Sequence, residues 1–463
     1  MDVLLINPKN IYEEEIKKLR INVALGLYPS LGILYLASVL ETNGINVKIV
    51  DSIASDYSLE QTVEIIKKAN PKVLGITATT PQIRGAVQIA EEIKKKCKDV
   101  VIGIGGAHVS ADKNFIERFK CFDFSVEGEG EITFLELVKK IMKGKKIKGN
   151  FHGQRIEDLD SVPFPARYLV NQKEYFIEPY GSSMATIHTT RGCPFNCVFC
   201  SKPVTCRTTR FRSPKNVVDE IESCVKEYKV KLVLFTDDTF TLDMKRTEEI
   251  CKEILKRKIK LDWYCETRAN LVDRKLLELM YSSGCREISF GVEVGNEKLR
   301  LEVVRKGVTD NELIKAFSLC REIGIKSPAF CMLGFPGETR ENIYETYKLC
   351  LRLKPTILGF HLITLMPGAD IYNQAIKEKK IPSNIWDQYA KGLIKDQPAY
   401  VPDGISLNEL KGIQKDVYHK YYFRFEYLFS RFISDIHSFR MMRLDFMMML
   451  NLFSQSKTPT GRQ

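Results

Sequence analysis

Residues 191–200 read RGCPFNCVFC and place Cys193, Cys197 and Cys200 in one short run, with gaps of three residues and then two. Thiols this close suit a metal. A structural zinc site takes four protein ligands, usually as two separated pairs. The 463-residue chain has no second Cys-x-x-Cys; Cys206 stands alone, and His188 falls in a run that reads as a core strand. Three cysteines in one loop instead suit a [4Fe-4S] cluster that leaves one iron open to an outside ligand.

Working outward, six runs read as strands, each followed by helical pattern or a turn: SMATIHTTRG, VKLVLFTDDTF, LDWYCETRAN, REISFGVEVG, IKSPAFCMLG and TILGFHLITL. Strand and helix in alternation predict a partial (β/α)6 TIM-type barrel, with functional residues at the carboxyl ends of its strands. The cysteine loop follows the first of these ends. Asp237, Asp238, Arg268 and Glu293 fall at later ones. For Arg268 and Glu293 an inward structural ion pair is the competing reading, and for Lys306 a plain surface charge.

The first 150 residues alternate in the same way, through VLLIN, VKIVDS, VLGITATT, VVIGIGGA and FSVEGEG. This pattern predicts an α/β, doubly wound, Rossmann-like domain. Thr77 and Thr79 follow one strand, Gly105, Gly106 and His108 another, and Glu127, Gly128 and Glu129 a third. Glycines along one sheet edge let backbone approach a large flat or phosphate-bearing ligand, whereas ordinary βα turns would use them only for chain reversal. No GxGxxG follows the first strand, which argues against a dinucleotide. His108 reads as a hydrogen-bonding group in its loop.

The expected organisation is a Rossmann-like domain over 1–150, a linker over 151–178, the barrel over 179–395 and a helical C-terminal region over 396–463 with a disordered tail. That last region interleaves aromatics with Arg424, Arg431 and Arg440, which suits either a cap on the barrel or peripheral contact with a membrane surface. The net charge of +12 comes from 70 Lys and Arg against 58 Asp and Glu. Its lysine runs read as solvated helix faces, so no nucleic-acid partner is expected. Most of the 13 cysteines stand singly in apolar pattern and read as core. The N-terminus has no signal or transit pattern and no apolar run is long enough to span a bilayer, so a cytoplasmic location is expected.

With these motifs in place, the chain resembles radical SAM enzymes that carry an N-terminal cobalamin-binding domain, the class of anaerobic tetrapyrrole cyclases and hopanoid methylases. Cys-x3-Cys-x2-Cys with Phe199 before the last cysteine matches the superfamily signature, and FTDDTFT, ETRANLV, FGVEVG and FCMLGFPGET match its later segments in order. PSLGILYLASVLETNG, VLGITATT, GGAHVS and FSVEGEGEITFLELV resemble the cobalamin domain. The resemblance implies a cluster on Cys193, Cys197 and Cys200, with S-adenosylmethionine (SAM) contacted by Phe199, Asp237, Asp238, Arg268, Glu293 and Lys306. It implies cobalamin against Thr77, Thr79, Gly105, Gly106, His108, Glu127, Gly128 and Glu129, base-off and without a histidine ligand.

The activity implied is methylation of an unactivated carbon through a 5'-deoxyadenosyl radical and methylcobalamin, with flavodoxin or ferredoxin as electron donor. A radical cyclisation, oxidation or rearrangement with the same cofactors is the alternative. A cobalamin-sensing module with a structural cluster is another. The substrate, whether small molecule, lipid or peptide, is not legible.

Overall fold

The computed structural model describes residues 1–9, 26–177, 181 and 183–429. The first sheet is built from β1 (Val3–Asn7), β2 (Val47–Asp51), β3 (Val73–Thr77), β4 (Val101–Gly105), β5 (Phe124–Glu127) and β6 (Gly149–His152). Its order is β2-β1-β3-β4-β5-β6 and every pairing is parallel. Helices α1 (Leu31–Thr42), α2 (Leu59–Ala69), α3 (Ile83–Lys96) and α4 (Glu131–Met142) connect and cover it.

The period of two in each strand splits the apolar residues between two cores. Leu4, Ile6, Leu74, Ile76, Ile102 and Ile104 pack with Val63 and Ile66 of α2 and Ala86, Ala90 and Ile93 of α3. Val3, Leu5, Val73, Phe124 and Val126 face Ala37 of α1 and Phe134 and Leu137 of α4. Strand order turns around between β1 and β3, and the cavity of this sheet opens beside that point, at the carboxyl ends of β3, β4 and β5. β6 has no counterpart in the sequence reading. Its GNFH alternates between half-buried and exposed positions, so an edge strand formed without the apolar run that would announce it.

The second sheet follows the six expected runs as β7 (Met184–Ile187), β10 (Leu232–Phe235), β11 (Asp262–Thr267), β12 (Cys285–Glu293), β13 (Ala329–Leu333) and β14 (Leu358–Leu362). Its order is β14-β13-β12-β11-β10-β7, again all parallel, which is a barrel left open between its first and last strands. Between β7 and β10, β8 (Thr190–Arg191) and β9 (Arg210–Phe211) form a separate antiparallel ladder at the base of the cysteine loop. Outward residues such as Val233, Phe235, Trp263, Ile288 and Phe290 build one large core with the surrounding helices. Cys224, Cys251, Cys320 and Cys350 lie in it as small apolar groups.

A strand at the edge of an open barrel leaves backbone groups without partners. Helix α5 (Leu407–Tyr422) supplies them for β14. Leu358 N and Phe360 N donate to the hydroxyls of Tyr422 and Tyr418 at 3.0 and 2.8 Å, and Gln414 Nε2 donates to Phe360 O at 2.6 Å. The aromatic run is therefore, over its described part, a cover for an edge strand. Arg424 stacks over the Tyr421 ring; Arg431 and Arg440 lie outside the described residues. Among the described residues no helix is long and apolar enough to cross a membrane.

Candidate functional site

The barrel mouth holds a cavity lined by Cys193, Cys197, Cys200, Phe195, Phe199, Lys202, Asp238, Glu266, Arg268, Ser289, Gly291, Glu293, Lys306 and Phe330. All three cysteines of the motif open into it from one loop, together with Phe195, Phe199 and Lys202. Asp238, Glu266, Arg268, Ser289, Gly291, Glu293 and Phe330 come from β10 to β13 or just past them, and Lys306 from the segment that follows β12. No three His, Cys, Asp or Glu side chains among the described residues stand close enough to grip a single metal ion. Thiolates on one zinc must converge, at Zn–S distances of about 2.3 Å, whereas a cluster takes its thiolates at separate iron atoms. Burial pushes the Cys200 thiol up to about 11, partly opposed by the Lys202 charge. A coordinating metal deprotonates such a thiol outright.

Arg268 lies across the face of Phe195, its guanidinium carbon 3.7 Å from the ring centroid, and points Nη1 at Cys197 Sγ, 3.8 Å away. Its Nε is buried with no hydrogen-bond partner. A buried donor left over in this way is available to an anionic ligand. Lys306 Nζ meets Glu293 Oε1 at 2.7 Å, both well buried, beside Gly291 where any Cβ would strike the pair. Glu293 itself turns the chain at φ +64, a conformation few non-glycine residues adopt. Asp238 is partly exposed in the cavity, 3.6 Å from Lys202.

Asp237 is not in the cavity lining. Its Oδ1 accepts from Thr189 N, Thr190 N and Thr190 Oγ1, so it anchors the chain that leads from β7 into the cysteine loop. The sequence reading passed over Glu266 and Ser289, which face the cavity, and with them Phe195, Lys202, Thr239, Thr267, Gly291 and Phe330. Burial, then the charges of Asp238 and Glu293, push the Glu266 carboxyl above its ordinary value, while Lys306 opposes them. Alternation along β11 from Trp263 and Cys265, which face the outer core, was the signal that could have found Glu266.

The second cavity lies at the glycine-rich edge of the first sheet. Thr77, Gly105, Gly106, Gly128 and Glu129 line it, together with Tyr35, Glu131, His188, Arg191, Val204 and Thr205. Gly106 has φ +99, and a Cβ there would come within 2.8 Å of Ala78 O. Gly128 has φ +78. Deeper in, Gly75 and Gly103 are register partners in β3 and β4 and open a groove in the sheet face, lined by Leu5, Phe124 and Phe134. This edge presents backbone and apolar surface rather than free charge, which fits a bulky, largely neutral ligand.

Three of the expected contacts stand elsewhere. His108 is fully buried against Phe115 and Trp386, with Nδ1 3.3 Å from Thr80 Oγ1, and burial pushes its pKa down to about 3. Thr79 caps a short 3-10 turn with Gln82. Glu127 Oε2 lies 3.0 Å from His152 Nδ1. Conversely His188, read as core, sits just past β7 and lines this cavity, where burial lowers its pKa. Strand β7 ends at Ile187, inside the SMATIHTTRG run read as a strand, which leaves His188 past its end.

One loop serves both cavities. Between Arg191 and Arg210 the chain gives Cys193, Cys197, Cys200 and Lys202 to the first, and Val204 and Thr205 to the second. The fold and these sites define a two-domain α/β protein in which a three-thiol loop at a barrel mouth faces a glycine-lined Rossmann edge.

Comparison with known proteins places it. Residues 187–350 match the radical SAM superfamily and residues 17–138 match the B12 binding domain. The chain is 33% identical over 377 residues to an uncharacterized methyltransferase of Pyrococcus horikoshii, covering 78% of this chain and 81% of that protein. It is 31% identical over 371 residues to an anaerobic magnesium-protoporphyrin IX monomethyl ester cyclase of Rubrivivax gelatinosus, covering 75% of this chain and 66% of that protein. The fold matches the radical SAM methyltransferase TsrM of Kitasatospora setae, solved with cobalamin and a [4Fe-4S] cluster, with a TM-score of 0.69 at 19% identity over 90% of this chain and 91% of that one.

The chain belongs to the radical SAM superfamily, among the members that carry a B12-binding domain. Its cofactors are therefore a [4Fe-4S] cluster, SAM and cobalamin. The thiol loop, with the buried and unpartnered Nε of Arg268 beside it, fits the first two. The glycine cradle and its groove fit the third.

Proposed function

We propose that this protein methylates an unactivated carbon of its substrate, with Cys193, Cys197 and Cys200 as cluster ligands and the edge at Gly105, Gly106 and Gly128 as the corrin seat. When bound, the cluster supplies the electron that splits SAM and cobalamin carries the methyl group. The observation that carries the reading is the shared loop: cysteines that open on the barrel cavity stand within a few residues of Val204 and Thr205, which open on the glycine edge. A carbon activated at one site is thereby close to a methyl carrier at the other.

The chain's own residues bind, orient and exclude water. Arg268, braced on Phe195, offers its free Nε to the carboxylate of SAM. The Lys306–Glu293 pair keeps a carboxylate oxygen in place for ribose hydroxyls without leaving a buried charge alone. Phe195, Phe199 and Phe330 line the mouth and limit water around a reactive species. A one-electron reductant is required, and flavodoxin or ferredoxin suits that role. The 33%-identical methyltransferase of Pyrococcus horikoshii supports the methylation reading. The 31%-identical cyclase supports a second one, in which the same cofactors run a ring closure without net methylation.

The test is anaerobic reconstitution with iron, sulfide and hydroxocobalamin, then incubation with methyl-deuterated SAM, dithionite and fractionated cell extract. Methylation yields 5'-deoxyadenosine together with S-adenosylhomocysteine and a deuterated product by mass spectrometry. Formation of 5'-deoxyadenosine without S-adenosylhomocysteine would leave the cyclase-type reading standing instead.

A further inference from the structure

Both ends of the cysteine loop are held by one carboxylate of the other domain. β8 and β9 pair Arg191 with Arg210, and residues 192–209 form the loop between them. A ladder this short is too small to hold its own register in water. Arg210 forks onto Glu129, donating from Nη1 to Oε2 at 3.0 Å and from Nη2 to Oε1. Arg191 reaches the same Glu129 Oε2 from Nη1 at 3.0 Å and Glu131 Oε1 from Nη2 at 2.6 Å. Glu129 also accepts from Ile156 N at 3.2 Å.

Glu129 stands two residues past β5, among the glycines that form the edge of the first sheet. Its side chain is 3% exposed. Burial works against its ionisation, yet the Arg210 hydrogen bonds and the Arg191 charge hold its carboxyl below the ordinary value. Two arginines and two glutamates balance one another in a site nearly closed to water. Such a group cannot lose one member without stranding charge, so its geometry is fixed far more firmly than that of a surface pair. Arg191 also lies over Tyr35, which lines the same cavity.

We infer that Glu129 is a positioning residue: through Arg191 and Arg210 it fastens the base of the cluster loop to the glycine edge and so sets the spacing between the two cofactor sites. This assignment rests on the reading that the glycine edge seats cobalamin and the loop holds the cluster. It gives Glu129 a task other than contact with cobalamin, since its oxygens are already occupied by protein donors.

The spacing can be read without turnover. A reduced cluster and cob(II)alamin are both paramagnetic, and each broadens the other's electron paramagnetic resonance signal to a degree that falls steeply with distance. Full-length protein, reconstituted with iron and sulfide, is measured after dithionite reduction with and without hydroxocobalamin. Wild type is expected to show cobalamin-dependent broadening of the cluster signal. Glu129→Gln should lose most of it while keeping full iron content and bound cobalamin, and Glu129→Asp should restore part.

Arg191→Lys keeps the charge but cannot reach both carboxylates, and should reduce the broadening less than Glu129→Gln. If Glu129→Gln fails to fold or loses either cofactor, Arg191→Lys carries the test, because the Arg210–Glu129 pair remains. Unchanged broadening in a variant that holds both cofactors overturns the positioning role. A wild type that takes up no cobalamin overturns the underlying reading of the glycine edge, and the clamp with it.

Discussion

The two sheets of this protein end in mouths made from opposite materials. At the barrel mouth, ligands meet charged and soft side chains: three cysteines, Arg268, Asp238, Glu266 and the Lys306–Glu293 pair. At the edge of the first sheet they meet glycine backbone and an apolar groove, with Glu129, Glu131 and Arg191 turned toward one another. Small charged ligands are gripped by charge, which demands side chains at set positions. A large neutral ring system is gripped by shape, which demands that side chains be missing. One architecture, a parallel sheet with helices around it, serves both because its strand ends tolerate either solution.

Four experiments sharpen or break that contrast. The largest effect is expected for Cys193→Ala, Cys197→Ala and Cys200→Ala: each should abolish the cluster's visible absorption and 5'-deoxyadenosine formation, while cobalamin retention on gel filtration persists. Loss of cobalamin as well would mean that the two mouths are not separable.

Gly106→Val is the mirror experiment. Its Cβ would press on Ala78 O at 2.8 Å, in a backbone conformation that a branched side chain rarely adopts. Cobalamin retention should fall to background with iron content unchanged. Retention at the wild-type level would break the idea that this mouth works by absence of side chains.

Lys306→Met strands Glu293 in the barrel mouth. Removing one partner of a buried pair costs on the order of 3–5 kcal/mol of stability. The concentration of SAM needed for half-maximal cleavage should rise by roughly tenfold, equivalent to about 1.4 kcal/mol of binding. Equilibrium unfolding and a SAM titration report the two effects separately. A SAM titration that superimposes on wild type would confine Lys306 to a structural role.

The smallest effect concerns the turn after β13. Glu338 accepts from Gly334 N at 2.6 Å and Phe335 N at 3.0 Å, with its other oxygen buried and unpartnered. Burial pushes its carboxyl up to about 7 from an ordinary 4.5, against those two hydrogen bonds. Between these values the folded chain binds more protons than the unfolded one, so stability falls as pH rises through the window. Thermal midpoints of wild type should decline more steeply than those of Glu338→Gln from pH 5 to pH 7. Parallel declines would assign the pH dependence elsewhere.

Much of this was legible before any coordinates. The six barrel strands follow six apolar runs, and Cys224, Cys251, Cys320 and Cys350 fell into the core because apolar periodicity surrounds each of them. β6 was not legible, since an edge strand buries too little to need an apolar run. Nor was the partition of polar residues at the strand ends. Asp237 and Asp238 are neighbours with the same side chain, yet the first is spent on three backbone and hydroxyl donors and the second opens on the cavity. His108 and His188 exchanged roles for a similar reason: which imidazole met a cavity depended on where β4 and β7 stopped.

The sequence by itself determined the alternation of the main strands and helices, the parallel sheets and the three-thiol loop, because these follow from local periodicity and from spacing within one short segment. Only the tertiary structure decided that Arg191 and Arg210 close that loop on Glu129. The partners are more than 60 positions apart in the chain, and charge alone did not distinguish these arginines from the other basic residues. Burial did, because a carboxylate removed from water must find its cations wherever the fold brings them.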